Sequence, residues 1–172
     1  PGNRKGSLAS RVAHVITKQV LPLINFGIDF HTGGWAHHNH PQIRYSPRDH
    51  SAKVLAKAFN APVSLASTTI PKSLRNTALE MQKPMIIFEG GENLRLHGPS
   101  IEYALKGIEN VLVSYDMITS AAFAKTQPDT IHLNKSSWTR ATKAGLFEWC
   151  VPSGNWVEKG QVLGYLRDPY GL

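Results

Sequence analysis

The sequence has one cysteine, Cys150, which leaves no partner for an internal disulfide and excludes a disulfide-stapled secreted scaffold. A lone cysteine fits a reducing compartment, so a cytoplasmic address is expected. Charged side chains are scarce as well. Asp, Glu, Lys and Arg make up 18% of the 172 residues, against roughly 25% in an average domain. Hydrophobic residues nevertheless reach 41% and recur along the chain, which is unlike a disordered segment. No apolar run approaches the ~20 residues that cross a bilayer, so a membrane-spanning helix is not expected. Long basic runs are missing too. Lys and Arg outnumber Asp and Glu by 19 to 12, a net charge of +7, yet no basic run exceeds Arg4-Lys5. No stripe mixes cations with aromatics, as a single-strand binder would require, so neither nucleic acid nor a membrane surface is the expected partner. A small anionic ligand suits the charge better. The chain opens Pro1-Gly2-Asn3-Arg4 without an initiator methionine or a signal-peptide core, and it reads as a fragment lacking an N-terminal portion.

The length suits one large domain, or one domain with a small appendage. Short apolar runs of buried-strand type occur at 23–30, 63–66 and 85–88. Helical patterns separate them. Ser7 is placed to cap a helix over 8–21, and Val54, Leu55, Ala58 and Phe59 form a helical stripe within 52–59. Ser73 is placed to cap a helix reaching Gln82, and 101–118 predicts a longer helical stretch interrupted at Gly107. Strands alternating with helices imply an α/β layer around a mainly parallel mixed sheet, whose chemistry gathers at the carboxyl ends of the strands. From about Ala124 the pattern becomes short apolar runs punctuated by glycine and proline, from Ile131 and Leu133 to Tyr165 and Leu166. This predicts a small all-β C-terminal domain of barrel or sandwich type over 126–172, after an α/β domain over 1–125, with residues 125–129 as the connector.

Two strand tips carry candidate chemistry. The first run ends Asp29-Phe30-His31 and breaks at Gly33-Gly34. Strand alternation puts Asp29 and His31 on one side, where a carboxylate can orient an imidazole that ligates zinc. A histidine satisfied by local hydrogen bonds is the bland alternative. The second run ends at Glu89-Gly90-Gly91-Glu92. A carboxylate leaving a buried strand is costly to desolvate unless paired or used, and such settings suit a general base; a carboxylate turned into solvent is the alternative. His37, His38 and His40 lie in a segment read as a loop, where pocket-lining roles suit them better than shared ligation of one ion. Arg44 is a candidate for holding a substrate carboxylate bidentately, or is simply a surface arginine.

Taken in order, Asp29-Phe30-His31-Thr32-Gly33-Gly34, Phe88-Glu89-Gly90-Gly91 and 107–112 (Gly-Ile-Glu-Asn-Val-Leu) resemble the succinylglutamate desuccinylase/aspartoacylase family, relatives of the zinc carboxypeptidases. The tail, with Gly145-Leu146-Phe147, Lys159-Gly160-Gln161-Val162-Leu163-Gly164 and Asp168-Pro169-Tyr170-Gly171, resembles that family's C-terminal β domain. The resemblance covers nearly the whole chain, through motifs that are individually short. In the family, zinc is held by a His-x-x-Glu pair and by a later histidine in an Asp-x-His segment. That histidine matches His31, with Asp29 behind it, and the catalytic glutamate matches Glu89. No His-x-x-Glu precedes His31 here, and the family's Asn-Arg pair belongs shortly before a Phe-Pro-Gly segment whose end Pro1-Gly2 resembles. The remaining ligands of one zinc ion are therefore expected upstream of Pro1, and the fragment alone is expected to be inactive.

The resemblance implies a zinc-dependent hydrolase that cleaves the N-acyl amide bond of a small anionic acylated amino acid. Metal-activated water would attack the acyl carbon, and Glu89 would take its proton. A metallocarboxypeptidase, or a non-catalytic binding module that has lost the metal, are the alternatives. The tail also shares a Val-x-Lys-Gly-Gln pattern with lipoyl and biotinyl carriers, but Lys143 and Lys159 lack flanking methionines. A homo-oligomer is compatible with all of these readings.

Overall fold

The computed structural model describes residues 1–35, 37–119 and 129–170. The chain divides into two compact units, Pro1–Lys135 and Ser136–Leu172. The first is a mixed α/β layer around a five-stranded sheet. Its strands are β1 (Gly27–Gly33), β2 (Asn39–Tyr45), β3 (Val63–Ala66), β4 (Met85–Glu92) and β5 (Ile131–Leu133). They lie in the order β1-β4-β2-β3-β5. Only the β2–β4 pairing is antiparallel; β1–β4, β2–β3 and β3–β5 are parallel.

The helices begin where local chemistry supplies a cap. Ser7 accepts from the Ser10 amide ahead of α1 (Leu8–Val15), and a short π-helical segment, Ile16–Val20, continues that helix. Asp49 accepts from the Ala52 amide ahead of α2 (His50–Phe59), which ends on left-handed Asn60. Ser73 caps α3 (Leu74–Glu80) through the Asn76 amide at 3.1 Å. His97 caps α4 (Gly98–Ser114) with its Nδ1. The α4 helix runs unbroken through Gly107, contrary to the predicted interruption. A side chain there would collide with the Phe59 ring, so the glycine is a packing contact between α2 and α4.

The sheet has two unlike faces. Beneath α2 and α4 lies the main core, where Ile43, Leu55, Phe59, Ile86 and Val111 are fully buried and the Phe88 ring lies tilted against that of Phe59, 5.5 Å between centroids. A smaller cluster of Leu21, Ala78 and Met85 joins α3 and the π-helical segment to the sheet.

The segment read as a loop around His37–His40 contains the start of β2. Its burial alternates, with Pro41, Ile43 and Tyr45 inside. Proline is unusual in an interior strand because it cannot donate to the ladder. Here it falls where the β2–β4 register shifts between Asn39 and Gln42, so its missing amide is tolerated. The first strand also begins later than the run at 23–30, at Gly27, leaving Leu23 exposed.

The connector read at 125–129 lies outside the described residues except for Asp129. Ile131 and Leu133, grouped by sequence with the C-terminal segment, form β5 beside β3 in the first unit. In the second unit, β6 (Leu146–Trp149) pairs antiparallel with β7 (Gly164–Arg167). No helix among the described residues is long and apolar enough to cross a membrane.

Candidate active site

Parallel pairing of β1 with β4 sets His31 directly beside Glu89 at the carboxyl ends of both strands. Asp29, two residues earlier on β1, shares the His31 face. The imidazole consequently stands between two carboxylates. Its Nε2 lies 3.0 Å from Asp29 Oδ2, and its Nδ1 faces Glu89 Oε1 at 3.7 Å. The first is an ion-pair distance, whereas the second is too long for a hydrogen bond and leaves room for a bridging group. The ring remains open to solvent at 43% side-chain exposure, while the Glu89 side chain retains 14%.

The antiparallel neighbour completes the surroundings of Glu89. Gln42 of β2 sits directly opposite it, and Asn39 donates from Nδ2 to Glu89 Oε2 at 2.8 Å. Arg44 lies one alternation further along β2, opposite Ile87, with its Nε 3.4 Å from Gln42 Oε1. It is therefore on the site's face of the sheet rather than at an unrelated surface.

A second guanidinium, which sequence reasoning missed, lies close by. Arg75 of α3 is only 6% exposed. It donates to Ser67 Oγ at 3.2 Å and to the Thr68 carbonyl at 3.0 Å, while its Nε has no hydrogen-bond partner. Burial and then the nearby Arg44 push its pKa down, and the Glu89 carboxylate pushes it up. Arginine stays charged through shifts of this kind. Two cations and a carboxylate thus share one neighbourhood. No local motif marks Arg75, since its place depends on how α3 packs on the sheet.

The histidines after β1 do not join His31 as a ligand cluster. His38 meets the His97 ring edge-to-face, with centroids 5.0 Å apart. His40 lies on β2, and burial, followed by the His38 charge, holds its pKa below the usual histidine value. An open, largely apolar groove of about 190 Å³ beside α4 has His31, Phe30, Phe88 and His97 among its walls, but neither Asp29 nor Glu89. Hence the carboxylates serve the opposite side of the strand ends.

Catalytic zinc generally takes three protein donors and keeps a fourth position open. His31 fits one such position, because an Nε2–H directed toward the Asp29 carboxylate leaves the Nδ1 lone pair free. Among the described residues, no group of three or more His, Cys, Asp or Glu could hold a metal ion.

Residues 2–115 match the family described as the succinylglutamate desuccinylase/aspartoacylase catalytic domain. The chain belongs to that family. Among curated proteins it is similar to an N-alpha-acetyl-L-2,4-diaminobutyric acid deacetylase of Halomonas elongata, at 27% identity over 98% of this chain and 52% of the relative. The chain thus spans about half the length of that relative. The fold matches the ectoine utilization protein EutE (DoeB) of Ruegeria pomeroyi in its apo form, with a TM-score of 0.84 and 25% identity over 100% of this chain and 57% of the other. A succinylglutamate desuccinylase/aspartoacylase of Rhodobacter sphaeroides shares the fold, with a TM-score of 0.82 and 22% identity over 97% and 53% of the two chains.

Proposed function

We propose that this chain forms part of a zinc-dependent hydrolase that cleaves the N-acyl amide bond of an acylated amino acid. The observation that carries the reading is the His31 imidazole standing between Asp29 and Glu89, one ring nitrogen toward each. Under this reading His31 binds zinc through Nδ1, Asp29 holds the ring from behind, and the further donors lie outside the described residues. Zinc, when bound, supplies Lewis acidity toward the acyl carbonyl and a nucleophilic water at neutral pH.

The chain's own residues supply the proton traffic and the grip. Glu89 takes a proton from the attacking water at Oε1 and returns it to the leaving amine nitrogen. Its low exposure keeps that carboxylate out of bulk water, and Oε1 is the oxygen that Asn39 leaves free. Arg44 and the buried Arg75 provide the positive field for the substrate carboxylate. The net charge of +7 suits such a substrate. The similarity to half of a protein named N-alpha-acetyl-L-2,4-diaminobutyric acid deacetylase supports the same reading. Residues 136–172 are read as part of a small all-β domain, supported by the β6–β7 pairing. The lone Cys150 suits a cytoplasmic setting.

Metal analysis of the intact protein after dialysis tests the assignment. The expected result is one zinc per chain, a large loss in His31→Ala, and release of free amino acid from at least one N-acetyl or N-succinyl substrate. Unchanged zinc in His31→Ala would remove the ligand assignment. An intact protein that retains no zinc and is inert toward the whole substrate panel would favour a binding module.

A further inference from the structure

Glu89 can act at Oε1 only if its carboxylate is held in one orientation, and the residue that holds it comes from an unexpected place. Asn39 opens β2, immediately after the crossover from β1, and its Nδ2 donates to Glu89 Oε2 at 2.8 Å. Its backbone pairs with Gly91, two residues beyond Glu89, and the β2–β4 register then shifts before Gln42 reaches Glu89 itself. A bulge of this kind re-aims a side chain relative to the regular ladder. Asn39 and Gln42 thereby both flank one carboxylate. Gln42 is otherwise engaged, with Nε2 toward the His40 carbonyl and Oε1 toward Arg44. Asn39 is left as the amide donor to Glu89.

The crossover is pinned at both ends, which fixes where Asn39 begins. At Gly33 a side chain would strike the His37 carbonyl and crowd the Gly91 carbonyl at 3.0 Å, so loop and strand approach there as only glycine permits. Next to Asn39, His38 packs edge-to-face on His97, which caps α4. An amide so placed is a fixed donor rather than a flexible surface group.

We infer that Asn39 is a positioning residue that locks the Glu89 carboxylate through Oε2 and so presents Oε1 to the hollow shared with His31. The inference rests on the reading of Glu89 as the general base. An ionised carboxylate accepts hydrogen bonds only, so the amide nitrogen is the end of Asn39 that must face it. Losing that donor frees the carboxylate to rotate away, which should lower the rate of proton transfer while leaving substrate binding nearly intact.

The test combines one spectroscopic and one kinetic readout. In 15N-labelled chain, the Asn39 side-chain amide protons should be shifted and slow to exchange, and Glu89→Ala should abolish both properties. In the intact protein, Asn39→Ala should lower kcat by about 10- to 100-fold with KM changed less than about twofold, the size expected for one hydrogen bond to a charged group. The isosteric Asn39→Asp, which cannot donate when ionised, should lose at least as much and guards against a folding artefact in the alanine variant. In a Glu89→Gln background, Asn39→Ala should cost little more, because the two residues act as a unit. Near-normal kcat in both Asn39 variants, or an equal loss with and without Glu89, would overturn the positioning role. Near-normal turnover in Glu89→Gln alone would instead overturn the base on which it rests.

Discussion

The two units of this chain use similar side chains to opposite effect. In Pro1–Lys135, aromatic and aliphatic residues from α2, α4 and the sheet reach complete burial, with Phe59 at 0% exposure. In Ser136–Leu172 none of the described residues is buried, and Trp156 stands at 80% exposure. The difference lies in layering. A sheet covered by helices closes a core on each face, whereas the described residues of the second unit form a two-stranded pair without a second layer to bury its side chains against. The candidate site belongs to the unit that can hold side chains still, as a site built from distances of 3 to 4 Å requires.

Mutations should separate the units in proportion to burial. Phe59→Ala, which empties the centre of the Phe30–Phe59–Phe88 cluster, should cost about 3–5 kcal/mol in denaturant unfolding. Gly107→Ala forces a methyl group against the buried Phe59 ring and should cost about 1–3 kcal/mol in the same measurement. Trp156→Ala should stay within about 0.5 kcal/mol, and a loss comparable to that of Phe59→Ala would break the comparison. The smallest effect is a pH slope confined to the first unit, since the last histidine in the chain is His132. His40 has its pKa lowered from about 6.5 by burial and by His38, so the unfolded chain binds its proton more readily. Its contribution is fully present above pH 6.5 and is lost as the pH falls through the lowered value. Tm measured across that range should fall on acidification, and His40→Gln should flatten the slope.

The pattern of what was legible in the sequence follows the range of the interactions involved. The strands at 63–66 and 85–88 and the Ser7 and Ser73 caps are local facts, readable from a few neighbouring residues, and they stand where expected. The second strand escaped because Pro41 and the flanking histidines disguise the alternation of Pro41, Ile43 and Tyr45. Gly107 was misread because its reason is Phe59, 48 positions away in sequence. The same division runs through the candidate site. Asp29 and His31 share a strand face by simple alternation, and Glu89 ends its own apolar run. Asn39 reaches Glu89 through a shifted antiparallel register, and Arg75 comes near it through the packing of α3, neither of which a short window of sequence encodes.

The role proposed for the Glu89 carboxylate is to move the proton in amide hydrolysis beside a metal held partly by His31. Turnover and metal content of Glu89→Gln in the intact protein, measured on the same preparation, test it most directly. The expected result is full zinc occupancy with turnover down by at least about 10³-fold, since an amide cannot accept the proton. Zinc retained together with near-normal turnover would contradict it.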